Sequence, residues 1–163
     1  YVAEGTQLPN GGDAVNDWNT QRLFRPEWYD ETCFSIVAET SVSPVTQPIF
    51  VTEKTFKPIL FYQPFMLHSN PYSFNALRDM GFKTFENWID QDYDQLVGRS
   101  RFEAMLKVIL DISSWSLERI NKTYQEMLPI LEHNHNHFTK TMPEHYNKEI
   151  REIRSQIQTI ISL

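Results

Sequence analysis

The chain predicts an α/β domain, a parallel sheet flanked by helices, extended by a helical C-terminal tail. Three observations carry that expectation. The stretch Cys33-Phe34-Ser35-Ile36-Val37-Ala38-Glu39 is a near-continuous apolar run, the pattern of a strand covered on both faces. Residues 48–67 alternate strand, helix and strand signals. From Ser100 onward apolar residues recur at helical spacing.

Composition narrows the class. With 163 residues, 40% hydrophobic and 13% aromatic, the chain is long and apolar enough to bury a core. A formal charge of −6 argues against nucleic acid or an anionic membrane as the main partner. The single cysteine, Cys33, excludes an internal disulfide and fits a reducing, cytoplasmic compartment. Heading an apolar run, it reads as a buried structural thiol. No stretch approaches the roughly 18 apolar residues of a membrane span, and no signal peptide is visible. Opening on Tyr1, the chain reads as a fragment or a processed product.

In order, residues 1–32 form an irregular N-terminal segment. Leu8-Pro9-Asn10-Gly11-Gly12-Asp13 is a turn cluster, and Trp18, Leu23, Phe24, Trp28 and Tyr29 make an aromatic patch around Arg22 and Arg25. Residues 33–112 are expected to be the sheet-containing core. After the first strand and a proline-containing loop, Ile49-Phe50-Val51 reads as a short strand or its end. Thr52 stands where a helix N-cap belongs, with Glu53 behind it. Positions 53–61 read as helix, closed by Gln63-Pro64, and Phe65-Met66-Leu67 begins the next strand.

That helix start can bind an anion: unpaired N–H groups and the positive dipole end suit a phosphate. In open α/β sheets ligands bind beyond the carboxyl ends of the strands, where this turn falls. Lys54 would add a mobile charge for a diphosphate, and Glu53 would accept hydrogen bonds from sugar hydroxyls. The alternative is a plain surface pair, since Glu53 and Lys57 stand at i,i+4 spacing, worth about 0.3 kcal/mol. Pro58 lacks the N–H that would reach the Lys54 carbonyl and should loosen the helix after its first turn.

Ser69-Asn70-Pro71 opens another helix, with Gly81 a suitable terminator, and Phe82-Lys83-Thr84-Phe85 reads as a short strand. Asp90, Asp92 and Asp94 suggest a calcium loop, but its glycine and distal glutamate are missing, which leaves a solvated acidic turn. Beyond residue 113 the chain reads as C-terminal helices. His133 and His137 would share a helix face, a metal-like spacing. No cysteine completes the set, although Glu132 and Glu144 are acidic candidates, and a polar helix end is the simpler reading. No metal site is expected. The last stripe (Ile150, Ile153, Ile157, Ile160, Ile161) reads as a packing face covering the sheet or a partner domain.

Two segments resemble a known family. Phe34 through Ser41, ending in Glu39-Thr40-Ser41, followed by Phe50-Val51-Thr52-Glu53-Lys54, resembles the donor-binding signature of the family-10 fucosyltransferases. The continuation through Phe85 looks like a divergent bacterial or phage branch. The similarity covers roughly residues 33–95. It implies a Rossmann-like parallel sheet, the C-terminal half of a two-domain GT-B glycosyltransferase that is metal-independent and inverting. This chain would supply the donor-binding half and lack turnover alone. By that resemblance Glu53 contacts donor hydroxyls and Lys54 the diphosphate, while Glu39 is the strand-end acid. Thr52, Thr40 and Phe50 complete the donor-binding set, with Arg22 or Arg25 as phosphate contacts. The chain departs at two positions, Thr40 for the family's Asn and Phe50 for its Tyr. These leave the base and sugar open, GDP-fucose included. The implied partners are a nucleotide sugar, an acceptor glycan or other hydroxyl compound, and an N-terminal half bearing the base; no cofactor beyond the donor is implied. The other reading is a non-catalytic binding or assembly module descended from the same fold.

Overall fold

A computed structural model describes residues 26–40, 42 and 49–161. The chain divides into two units, Tyr1–Glu31 and Thr32–Leu163. From the first, a single helical turn, α1 (Glu27–Asp30), is described. The second unit holds the sheet and all the remaining helices, and it is mostly helical.

Its sheet has two described strands, β1 (Ser35–Ala38) and β2 (Phe65–His68), paired in parallel with Ser35 opposite Phe65 and Ala38 opposite His68. The parallel pairing requires a crossover, and α2 (Glu53–Leu60) lies within it. Gln63 fixes the entry to β1. Its side-chain amide donates to the Thr32 carbonyl at 2.7 Å and to the Thr32 hydroxyl at 2.8 Å, and it accepts from the Ser35 hydroxyl. β2 is the core strand, with Phe65, Met66 and Leu67 all buried. β1 differs from the expectation of two covered faces: it alternates, Val37 buried and Ile36 53% exposed. Cys33, expected to be buried, is exposed.

α2 begins as its sequence implies. Thr52 has extended backbone (φ −110°) and its hydroxyl accepts from the Lys54 N–H. It ends in a Schellman-type turn: the Gln63 N–H reaches the Pro58 carbonyl at 2.9 Å, while Tyr62 takes the left-handed conformation (φ 53°) usually left to glycine. Ile49-Phe50-Val51 is not a strand. The run enters α2 without a neighbouring strand to pair with among the described residues, so apolar β-branched content alone did not suffice.

α3 (Ser73–Asp79) ends at Gly81 (φ 93°), with the Phe82 N–H bonded to the Leu77 carbonyl at 3.0 Å. The expected strand at 82–85 is also absent. There, the buried Asn134 side chain does what a neighbouring strand would do: its Oδ1 accepts from the Lys83 N–H and its Nδ2 donates to the Lys83 carbonyl, both at 2.8 Å.

α4 (Gly98–Ser113) and α5 (Leu117–Asn136) follow, and Met105, Val108, Met127 and Leu131 pack onto the core built from β2, α3 and the Phe82–Tyr93 segment. α5 does not stop at its histidines. It passes through a π-helical turn (His137–Thr141) directly into α6 (Met142–Ile161). Pro143, which has no N–H for the regular ladder, accounts for the irregular turn just before it. Every residue of α6 from 143 to 158 is exposed, so Ile150, Ile153 and Ile157 of the isoleucine stripe do not cover this sheet.

Candidate functional site

The carboxyl ends of β1 and β2 bring together the residues that the sequence singled out. Backbone pairing continues one step past the strands, the Glu39 N–H donating to the His68 carbonyl at 2.9 Å. The step turns the Glu39 side chain inward, where it is buried against the start of α2. Its Oε1 accepts from the Thr52 N–H at 3.0 Å and from the Thr55 hydroxyl at 2.6 Å, and its Oε2 accepts from the Thr52 hydroxyl at 2.5 Å. Burial alone would push the carboxyl's pKa up. The Thr52 and Thr55 hydroxyls, the Thr52 N–H and the nearby Lys54 ammonium outweigh it, and they hold Glu39 below the ordinary value of 4.5.

This arrangement changes what the helix start can offer. Glu39 is itself the anion at the positive end of α2, and the Lys54 and Thr55 N–H groups already bond Thr52, at 3.3 and 3.2 Å. The amide cup read from the sequence is therefore largely filled by the chain. What remains available is Lys54. Its part-exposed ammonium donates to the Thr40 hydroxyl at 3.0 Å and lies 3.6 Å from Glu53 Oε1. Phe50 is 64% exposed. Thr40, Lys54 and Glu53 thus form one exposed polar cluster at the sheet's carboxyl edge, with Glu39, Thr52 and Thr55 beneath it as the brace. Arg22 and Arg25 lie outside the described residues.

A small cleft of about 70 Å³ opens at the end of β2, lined by Val42, His68, Pro71, Val97, Gly98, Arg101 and Phe102. Arg101 is buried in an ion pair with Asp94, Nη2 to Oδ1 at 2.9 Å, and it also donates to the carbonyls of Tyr93 and Asp94. Asp94 in turn accepts from the Phe74 N–H at 2.9 Å. The acidic turn is therefore not uniformly solvated: Asp90 and Asp92 face out, and Asp94 is a buried structural anion. Sequence reasoning missed this pair. Its one signal is an acid and an arginine seven residues apart, across a turn leading into a helix.

The three histidines also have structural partners. His133 Nε2 contacts the Gly81 carbonyl at 3.0 Å, His135 Nδ1 the Leu60 carbonyl at 3.1 Å and His137 Nε2 the Met80 carbonyl at 2.7 Å. They tie α5 and the π turn to the C-terminal ends of α2 and α3, where carbonyls lack helical partners. Among the described residues no group of three His, Cys, Asp or Glu side chains converges in a way that could hold a metal. None of the described helices is long and apolar enough to cross a membrane.

Comparison with family models, curated proteins and solved structures finds no match to this chain.

Proposed function

We propose that the chain is the donor-binding half of a nucleotide-sugar-dependent, fucosyltransferase-like glycosyltransferase, its parallel strand pair being part of a Rossmann-like GT-B sheet. One observation carries this reading. A lysine ammonium, a threonine hydroxyl and a glutamate converge at the carboxyl edge of a parallel strand pair, on a helix start braced by a buried carboxylate. Sugar transfer builds negative charge on the departing diphosphate, and a positioned cation stabilises it as it develops. Lys54 is that cation; its flexible stem lets it leave Thr40 for a phosphate oxygen. Glu53 and Thr40 meet donor hydroxyls, while Glu39, Thr52 and Thr55 hold the turn in place. The acceptor's proton needs a separate base, which the N-terminal half of the enzyme would supply.

Calorimetry against a panel of nucleotides and nucleotide sugars tests the proposal. The protein should bind a nucleotide sugar, and Lys54→Ala should weaken it more than tenfold, about 1.4 kcal/mol, the scale of one charge-assisted contact. A folded protein that binds none of them overturns the reading. The second reading, a non-catalytic assembly module, is favoured by one specific feature, the exposed apolar stripe of α6.

A further inference from the structure

A helix of about 20 residues gains most of its stability from packing an apolar face, yet α6 leaves its face open. Tyr146 is 66% exposed, Ile150 39%, Ile153 54% and Ile157 49%. They are not scattered. The spacing is four, three, four, and the sequence continues it to Ile160, which is the a/d period of a coiled coil rather than the broader stripe of a helix lying on a globular core. In that register Tyr146 is d, Ile150 a, Ile153 d and Ile157 a.

The flanking positions name the occupant. Glu149 falls at g and Arg154 at e of the following heptad, the two positions that meet between neighbouring parallel helices. A second copy in parallel therefore pairs Glu149 with Arg154 in both directions. An antiparallel copy would set Arg154 near Arg154 instead. Within one chain Glu149 also lies 3.2 Å from His145, a contact that the interchain pair would share or replace, while Lys148 pairs with Glu152 at 4.0 Å on the outer face, off the seam. Isoleucine at both a and d favours three or four strands over two. We infer that α6 is a self-association helix, and that copies of this chain assemble through it as a short parallel bundle, three-stranded in its simplest form. The inference does not depend on the transferase reading.

Sedimentation equilibrium of the full chain from about 5 to about 500 μM spans the affinities expected of so short a seam. The expected result is a mass that rises with concentration toward three chains. Ile153→Asp with Ile157→Asp should hold the protein monomeric throughout, with the urea midpoint of the dilute protein unchanged because neither residue packs on the core. Glu149→Arg and Arg154→Glu should each weaken assembly severalfold, and the two together should restore it. A protein that stays monomeric over this range overturns the inference. So does assembly that survives the isoleucine changes, or a double charge reversal that fails to restore it.

Discussion

A carboxylate buried at the end of a strand is costly unless its oxygens find donors. Glu39 finds three, from Thr52 and Thr55, together with the positive end of α2. Because its folded pKa lies below the ordinary value, the folded state binds fewer protons at this group than the unfolded chain. Its contribution to stability is therefore complete above about pH 4.5 and is lost as pH falls through the depressed folded value. Glu39→Gln keeps the shape and one acceptor but removes the charge. Urea melts should show the variant about 1.5–3 kcal/mol less stable at pH 7, the range for hydrogen bonds to charged groups. The gap should close progressively as the pH falls below about 4.5. A gap that stayed constant with pH would mean the charge contributes nothing. The sequence marked Thr52 as a helix cap, which it is, and the family resemblance gave it and Glu39 to the donor, but the bond between the two was not read. The Thr-x-x-Thr spacing of Thr52 and Thr55 opposite a strand-end acid was the available signal for an internal brace.

At the scale of elements, α5 organises its neighbours through polar side chains more than its periodicity suggests. His133, His135 and His137 each meet a carbonyl at the end of a shorter helix, and the Tyr124 hydroxyl donates to the Tyr62 carbonyl at 3.0 Å. Tyr62 stacks on His135, ring centroids 4.3 Å apart, which helps to hold a non-glycine residue in the left-handed region. Asn134 has the most to lose. Asn134→Ala removes both hydrogen bonds to the Lys83 backbone from a buried position, so thermal or urea unfolding should report a loss of about 1–3 kcal/mol. A loss below about 0.5 kcal/mol would show that water replaces the amide freely. The same pairing explains why the strand expected at 82–85 failed. Local apolar content predicted a strand, but the segment's hydrogen-bonding partner is one side chain 51 residues away, which no local pattern displays. α2 with its Thr52 cap, the helices from residue 98 on and the two strands themselves were legible because each depends on neighbours within a few residues. The strand read at 49–51 is not one, and α2 instead follows β1, which pairs with β2. The Asp94–Arg101 pair and the histidine contacts depend on which elements meet.

For the molecule as a whole, the described core runs through the π turn, where Phe138 stacks on Phe56, and ends at Met142, the first residue of α6. Buried side chains come from β1, β2, α2 to α5 and the segment between α3 and α4, and α6 contributes none between 143 and 158. The isoleucine stripe was legible as an apolar face; what it faces was not, because periodicity reports that a helix has a partner and not whether the partner is in the same chain. This separation of fold from tail is directly testable. A chain ending after Glu144 loses a stretch whose residues from 145 to 158 are all exposed. Its urea midpoint, measured at a concentration low enough to keep the full chain monomeric, should match that of the full chain, within the roughly 0.5 kcal/mol expected for surface changes. Nucleotide-sugar affinity should likewise be unchanged, since the Thr40–Lys54 cluster lies on α2 and β1, while concentration-dependent assembly should vanish. At high concentration the two chains should then diverge, the full chain alone gaining stability with protein concentration, as mass action requires of any species that associates only when folded. A truncated chain that melts several degrees lower even when dilute would place α6 in the core instead.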